Sequence, residues 1–181
     1  MLSNRNIDMI KSVGKKLSFK KGDFFVEENE VCKYIGIVES GTFYSYFEDA
    51  NLNFIVNELY TQNSVITSYR SFLGDILSPA YIKAYSDAIV YTLDKEMYSA
   101  FMNQQEWAVL FKDISDQLFI NKCFKETSLV KLKAKERYSE LISYRKNIEQ
   151  DFPQHLIASY LKIRPETLSR LKSLDIRQGI K

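Results

Sequence analysis

Residues 152 to 174, FPQHLIASYLKIRPETLSRLKSL, constrain the fold more than any other part of the chain. Apolar residues recur there at helical spacing in two short segments, at Ile157, Ala158, Leu161, Leu168, Leu171 and Leu174. Pro165 suits the first position of the second segment, where its missing amide proton is not needed and its fixed φ is already helical. The pattern predicts two helices, Gln154 to Leu161 and Pro165 to Leu174, that pack face to face across a short turn.

The side chains left outside this contact are suited to reading DNA. Arginine can hold guanine through two hydrogen bonds, and glutamate can accept one from cytosine. Polar and cationic groups near the turn can contact phosphates and so set the register of the protein on a duplex. The predicted DNA-binding residues are Pro165, Glu166, Thr167, Ser169, Arg170 and Ser173 for the bases, and Gln154, Lys162, Arg164 and Lys172 for the phosphates. A surface ion pair between Glu166 and Arg170 is the alternative.

The charge of the chain is divided unevenly between its two ends. Residues 131 to 181 contain 12 lysines and arginines against 6 acidic residues, whereas residues 1 to 130 contain 13 against 17. An anionic polymer would bind at the basic end. A solvated charged helix surface would have the same composition.

The counts of metal-binding residues exclude several classes of protein. The chain has one histidine, His155, and two cysteines, Cys32 and Cys123, far apart in the sequence. An iron-sulfur cluster usually needs four cysteines, and a cupin enzyme needs clustered histidine and carboxylate ligands. We therefore expect structural thiols, no metal, no cofactor and no enzymatic activity.

With 45% hydrophobic and 27% charged residues, the composition is that of an ordinary soluble protein. No run of 18 apolar residues is present, and the N-terminal region lacks the apolar stretch of a signal peptide. We expect a cytoplasmic protein with no membrane partner.

From Gly22 to about Leu93 the sequence is a series of short runs rich in Tyr, Phe, Ile and Val. Turn residues separate the runs, at Gly22, Asn29 with Glu30, Ser40 with Gly41, and Asp49 to Asn51. This spacing predicts a barrel, roll or sandwich.

Helical patterns follow the β-rich region. Asp94 can cap a helix from Lys95 to about Asn103, and a longer helix is expected from Gln105 to about Ser128. Along the longer helix a seam at 4, 3, 4, 3 spacing suggests a two-stranded coiled coil, and hence a homodimer, through Trp107, Phe111, Ile114, Leu118 and Asn121. Packing of this helix on the sheet alone is the alternative. A third helix is predicted from Lys133 to Lys146, with a polar turn from Asn147 to Phe152.

This order of parts resembles the family of the cyclic-AMP receptor protein and the fumarate-nitrate-reduction regulator (Crp/Fnr), especially its Bacteroidetes-type members. KKGDFFVEENEVCKYIGIVESGTFYSYF is similar to the first strands of the family, and AKERYSELI with FPQHLIASYLKIRPETLSRLK to its third helix and DNA-reading unit. The resemblance implies an α+β fold with an N-terminal β-roll (a double-stranded β-helix like a cyclic-nucleotide-binding domain) at 1–104. A dimerisation helix would follow at 105–130 and a helix-turn-helix at 131–181. It implies double-stranded DNA and a second copy as partners, with RNA polymerase as a further candidate.

The resemblance also places the base-contacting positions of the family on Pro165, Glu166 and Arg170. Proline cannot donate to guanine, so the operator is expected to differ from that of the receptor protein. Lys162 stands at the turn position that usually holds glycine, where a positive φ would be strained. The seven residues DIRQGIK are too few for the β-hairpin wing of many relatives.

In the cyclic-nucleotide binders of this family, a Gly-Glu pair and a following Arg-Ser-Ala hold the ribose and the phosphate. The corresponding residues here are Ser68 with Tyr69, and Ser78 with Pro79 and Ala80. Without the arginine, a cyclic phosphate loses a charge-assisted bidentate partner, and we expect no tight binding of cyclic AMP. The candidate effector pocket, which could equally be filled core, comprises Ser68, Tyr69, Arg70, Phe72, Ser78, Pro79 and Tyr81.

The sequence therefore favours a homodimeric, sequence-specific DNA-binding transcription regulator. The alternative is a small-ligand-binding module whose helix-turn-helix is vestigial.

Overall fold

Two antiparallel sheets and eight helices make up the computed structural model, which describes residues 2–49 and 53–177. The described strands are β1 (Lys15–Phe19), β2 (Phe24–Val26), β3 (Tyr34–Ser40), β4 (Phe43–Glu48), β5 (Phe54–Tyr60), β6 (Val65–Ile66), β7 (Tyr81–Ala84) and β8 (Ala88–Asp94). The described helices are α1 (Asn4–Val13), α2 (Tyr69–Gly74), α3 (Lys95–Met102), α4 (Gln105–Lys131), α5 (Ala134–Tyr144), α6 (Ile148–Asp151), α7 (Gln154–Tyr160) and α8 (Pro165–Arg177). The predicted α+β class is confirmed.

The strands form the expected β-roll, with sheet orders β1-β8-β3-β6 and β2-β7-β4-β5. Residues of both sheets form the core of the β-roll, and Ile37, Val38, Phe43 and Val90 have no exposed surface. The predicted turn at Gly41 depends on glycine. Its φ is +80°, and a Cβ there would lie 2.3 Å from the Asp87 carbonyl oxygen. Part of the turn predicted at 49–51 lies outside the described residues.

The N-terminal helix α1 and strand β1 were not predicted. Ser3 caps α1 by accepting a hydrogen bond from the Asn6 amide (3.2 Å), and Ile7 and Ile10 pack into the core of the β-roll. The cap and the i, i+3 pair are local signals that could have identified this helix.

The long helix α4 has two different faces, and the predicted seam is on the inner one. Trp107, Phe111 and Ile114 are at most 8% exposed and belong to the core of the β-roll. Leu118 is partly buried against the same core, whereas Asn121 is exposed. The dimer seam inferred from the sequence is therefore wrong for the first three residues, because their own β-roll covers them. The alternative, helix-on-sheet packing, describes the N-terminal half of α4.

The C-terminal part follows the sequence closely. Asp94 caps α3 through the Met97 amide (2.9 Å), and Phe152 is extended before proline (φ −137°, ψ 146°), both as predicted. The segment expected to be a polar turn contains the short helix α6, whose Ile148 is buried. The division at 104/105 and 130/131 stays a prediction, because α4 shares its first half with the core of the β-roll.

Candidate DNA-binding surface and effector cleft

Helices α7 and α8 form a helix-turn-helix. Ala158 and Leu168 have no exposed surface where the two helices meet, and Leu171 is partly buried beside them. In the turn, Lys162 has φ +55°, as its glycine-like position predicts, and the Ile163 amide donates to the Ala158 carbonyl (3.0 Å). The side chain of Leu174 lies outside the described residues.

The outward face of α8 presents polar groups to solvent. Glu166, Ser169, Arg170 and Ser173 are exposed, as is Pro165, while Thr167 lies at the edge of the buried face. Glu166 and Arg170 do not form one of the ion pairs found among the described residues. Because the two side chains do not form an ion pair with each other, both are available to contact another molecule.

The four residues predicted to contact phosphates are placed differently. Gln154, at the start of α7, and Arg164, in the turn before α8, are both exposed. Lys172 pairs with Glu149 (2.5 Å), and the Lys162 ammonium donates to the Val56 carbonyl of β5 (2.7 Å). Two of the four groups are therefore already occupied within the chain.

A single arginine joins the helix-turn-helix to the long helix. The Arg137 guanidinium donates to the Leu132 carbonyl (2.7 Å), where α4 ends, and to the Leu161 carbonyl (3.2 Å), where α7 ends. Carbonyls at the C-terminal ends of helices lack partners within the helix. Arg137 donates to one such carbonyl of α4 and to one of α7.

Between the β-roll, α4 and α5 lies an open cleft of about 1490 Å³. Four residues of the predicted pocket line it, namely Ser68, Tyr69, Arg70 and Pro79. Its charged lining residues are Glu58, Arg70, Lys122, Lys125, Glu126, Arg145, Lys146, Asp151 and Lys162. Only Arg70 was singled out in the sequence as part of a pocket, because the others come together from segments far apart in the chain.

Two short segments that the sequence resemblance singled out lie side by side next to the cleft. The Ser78 hydroxyl lies 2.9 Å from the Ser68 hydroxyl and 2.7 Å from the Ala80 carbonyl oxygen. Ser78 is 1% exposed and Ser68 lines the cleft. Both side chains of this serine pair are neutral.

Tyr69 links the cleft to the long helix. Its hydroxyl lies 2.5 Å from the Ser115 hydroxyl of α4. Burial and the neighbouring Tyr69 raise the pKa of Tyr98 on α3 to about 12, so the Tyr98 phenol is neutral at physiological pH. A change in the cleft that displaced Tyr69 would reach α4 through this hydrogen bond.

Two residues of the predicted pocket lie elsewhere. Phe72 has no exposed surface and packs edge-on against Tyr98 (5.3 Å between ring centroids) inside the β-roll core. Tyr81 lies on the outer face of its sheet, stacked on Tyr46 (4.9 Å). Strand alternation explains the second case, because Tyr81 and the buried Ile82 point to opposite faces.

The outer stripe of α4 consists of Ile120, Cys123, Thr127 and Val130, which are exposed at 3, 4, 3 spacing. Phe119 and Phe124 flank it and are 68% and 71% exposed. Such a concentration of exposed large apolar side chains is unusual on a monomer. Its heptad spacing was present in the sequence, offset from the seam that we predicted.

Neither a membrane span nor a metal site was found within 2–49 and 53–177. The helices of this part are too short or too polar to cross a bilayer. Its histidine, cysteine and acidic side chains form no group of three that could hold a metal ion.

No protein-family model and no curated protein matches the sequence. Solved structures do match over nearly the whole chain. FixK2 from Bradyrhizobium japonicum superposes with a TM-score of 0.75 at 18% identity, covering 93% of this chain and 87% of its own. The chain has the fold of Crp/Fnr regulators.

Two further structures agree with this assignment. A CooA variant from Carboxydothermus hydrogenoformans has a TM-score of 0.69 at 16% identity and covers 96% of this chain and 80% of its own. A protein from Eubacterium rectale, described as a transcriptional regulator of the Crp/Fnr family, has a TM-score of 0.68 at 18% identity, with coverages of 99% and 86%. At these identities the likeness establishes the fold and leaves the function to the residues of this chain.

Proposed function

We propose that this protein is a homodimeric, sequence-specific DNA-binding transcription regulator. The observation that carries the proposal is the outward face of α8. Glu166, Ser169 and Arg170 are exposed on α8, and the apolar face of this helix packs against α7. Arginine and glutamate at these positions can read guanine and cytosine edges in a major groove, at about 1–3 kcal/mol of discrimination for each base pair.

The second copy would pair along the outer stripe of α4. Apolar residues at heptad spacing bury themselves by packing against the same stripe of another helix, related by a two-fold axis. Pairing of this kind would place two α8 helices about 34 Å apart, in successive major grooves of a roughly palindromic site. RNA polymerase is a further candidate partner of a regulator bound at a promoter.

The β-roll would act as the sensor, with its state conveyed to α4 through the wall of the cleft. We propose that cyclic AMP is not the effector. The neutral Ser68 and Ser78 pair offers no charge to a cyclic phosphate. A thermal-shift panel tests this, because a rise of several degrees with millimolar cyclic AMP would contradict it.

The DNA arm of the proposal is tested by selecting binding sequences from random duplexes and measuring affinity at several salt concentrations. We expect a recurring, roughly palindromic site and a steep salt dependence. Arg170→Ala should relax the preference at one position of each half-site. If the wild-type protein shows only micromolar, sequence-blind binding at low salt, it is instead a ligand-binding module with a vestigial helix-turn-helix.

The dimer arm uses the two cysteines of the chain. Cys123 lies within the outer stripe, whereas Cys32 is 2% exposed inside the β-roll. Mild oxidation should link two chains through Cys123, and Cys123→Ser should abolish the linked species while Cys32→Ser leaves it. A protein that sediments as a monomer at micromolar concentration would contradict the dimer.

A further inference from the structure

Strand β5 is an edge strand whose pairing with β4 is interrupted by a bulge. Glu58 is opposite Ser45 and Val56 is opposite Tyr46, so Asn57 has no partner residue. Because no strand of the described residues pairs with the other side of β5, its main-chain groups there need partners of another kind. The helix-turn-helix provides them.

Two residues of the helix-turn-helix bond to the main chain of Val56. The Val56 amide donates to the Ser159 hydroxyl (2.9 Å), and the Lys162 ammonium donates to the Val56 carbonyl (2.7 Å). From α4, the Lys125 ammonium donates to the Asn57 carbonyl. The end of α7 and the turn therefore cover the edge of β5 much as a neighbouring strand would.

Apolar packing continues this contact. Val56 and Leu59 of β5 are at most 1% exposed, and they belong to the same buried cluster as Ile157 and Leu161 of the helix-turn-helix. The apolar contact alone would allow the helix-turn-helix to rotate against β5. The hydrogen bonds of Ser159 and Lys162 fix its orientation.

The environment of Lys162 differs from that of a phosphate-binding lysine. Its ammonium lies 5.7 Å from the ring centroid of Phe47 and is turned toward β5. Desolvation, together with the neighbouring charge of Lys125, lowers the pKa of Lys162 to about 8. Its backbone holds φ +55°, which a non-glycine residue adopts only at some cost. Lys162 and Arg164 are both exposed as residues, so what distinguishes Lys162 is the bond of its ammonium to the Val56 carbonyl.

We propose that Lys162 is a positioning residue that, with Ser159, fastens the helix-turn-helix to the bulged edge of β5 and fixes the direction of α8. The effect on DNA rests on the proposed function, whereas the fastening is a property of the protein alone. Lys162 is then removed from the set of phosphate contacts that the sequence suggested.

The test compares Lys162→Met, which keeps the stem and loses the donor, with Arg164→Gln as a matched loss of charge. The first readout, on the full-length protein without DNA, is amide hydrogen exchange. Lys162→Met should speed exchange at Val56 and along the end of α7 by about 3- to 10-fold. Lys162→Gln, whose amide can still donate, should recover part of the protection, and Arg164→Gln should leave exchange unchanged.

The second readout is the salt dependence of binding to the selected operator. Arg164→Gln should reduce the slope of log affinity against log salt by about 0.9 for each half-site. Lys162→Met should weaken binding with the slope unchanged. Unchanged exchange in Lys162→Met overturns the proposal, and so does a fall in slope equal to that of Arg164→Gln. If the wild type selects no operator, the proposed function fails, and the exchange readout still decides the role of Lys162.

Discussion

The two buried clusters of the molecule are built in different ways. The buried residues of the β-roll cluster come from both sheets, α1, α2, the first half of α4 and Cys32, all within the first 114 residues. The cluster around the helix-turn-helix takes residues from α5 to α8 and also Val56 and Leu59, about 80 to 110 positions earlier in the chain. The buried cluster of the helix-turn-helix is therefore incomplete without a strand of the β-roll, and the two parts should respond to each other.

The largest expected effect is on the self-contained cluster. Phe43 has no exposed surface and contacts Phe19 edge-on (5.4 Å). Phe43→Ala should lower the free energy of unfolding by about 3–5 kcal/mol, because it leaves a cavity in the β-roll. Urea unfolding followed by circular dichroism measures the loss. Val13→Ala, at a 40% exposed position of α1, should change it by less than about 1 kcal/mol. Similar losses in the two variants would contradict the claim that stability depends on the buried cluster of the β-roll.

Leu59→Ala tests whether β5 belongs to the second cluster. Leu59 is 1% exposed, and its truncation should cost about 2–5 kcal/mol. Although the substitution is in the β-roll, we expect amide protection to fall in α5 and α7 more than in β8. Leu93→Ala, a leucine of the first cluster with no exposed surface, is the matched control and should show the reverse order. Equal loss of protection in α7 for both variants would remove the distinction between the clusters.

Glu58→Gln tests the ion pair between Glu58 and Arg145 at the polar edge of the second cluster. Arg145 of α5 donates to the Glu58 carboxylate (2.8 Å) and to the Leu59 carbonyl (2.6 Å), and both side chains are about a quarter exposed. We expect a loss of about 1–3 kcal/mol in urea unfolding. Glu126→Gln, in an exposed pair with Lys122, should lose no more than about 0.5 kcal/mol. Equal losses would mean that partial burial adds nothing to the Arg145 pair.

The smallest effect is a pH dependence. Because the pKa of Lys162 is about 8 in the folded protein and 10.5 ordinarily, the unfolded chain binds more protons between these values. Stability should therefore rise with pH through this window, relative to Lys162→Asn, and the difference should be flat below it. Lys125, whose pKa burial also lowers, shifts stability in the same direction and cancels in the comparison. Thermal unfolding of both proteins from pH 7 to 10.5 measures the difference, and a constant difference would contradict the burial of the ammonium.

Local signals predicted most of the elements. The Asp94 cap, the proline at the start of α8 and the extended Phe152 each depend on a few neighbouring residues, and all three are as expected. Positive φ at Asn29, Gly22 and Gly41 agrees with the predicted turns. The helix α1 was missed because its composition is polar and only two residues mark its buried face.

What the sequence could not provide was the choice of face and the distant contacts. The helix α4 has apolar residues on an inner face, at Trp107, Phe111 and Ile114, and on the outer stripe from Ile120. Periodicity identifies both and does not say which one a β-roll will cover. The hydrogen bond from Lys162 to Val56 joins residues 106 positions apart, and no local sequence pattern predicts it. The sequence therefore predicts a phosphate contact for Lys162, whereas the structure shows its ammonium bonded to the Val56 carbonyl.

The link between α4 and α5 consists of two residues, Leu132 and Lys133, and can span only about 7 Å. Arg137 of α5 bonds the Leu132 carbonyl within this link and the Leu161 carbonyl at the end of α7, so the link has little freedom to lengthen. In the proposed dimer, each helix-turn-helix would therefore be held at a nearly fixed distance from α4. One extra base pair between the half-sites would move the second target by ~3.4 Å and turn it around the duplex axis. The duplex would then have to twist or bend to meet the protein, and the operators of the proposed dimer should have an invariant spacer length.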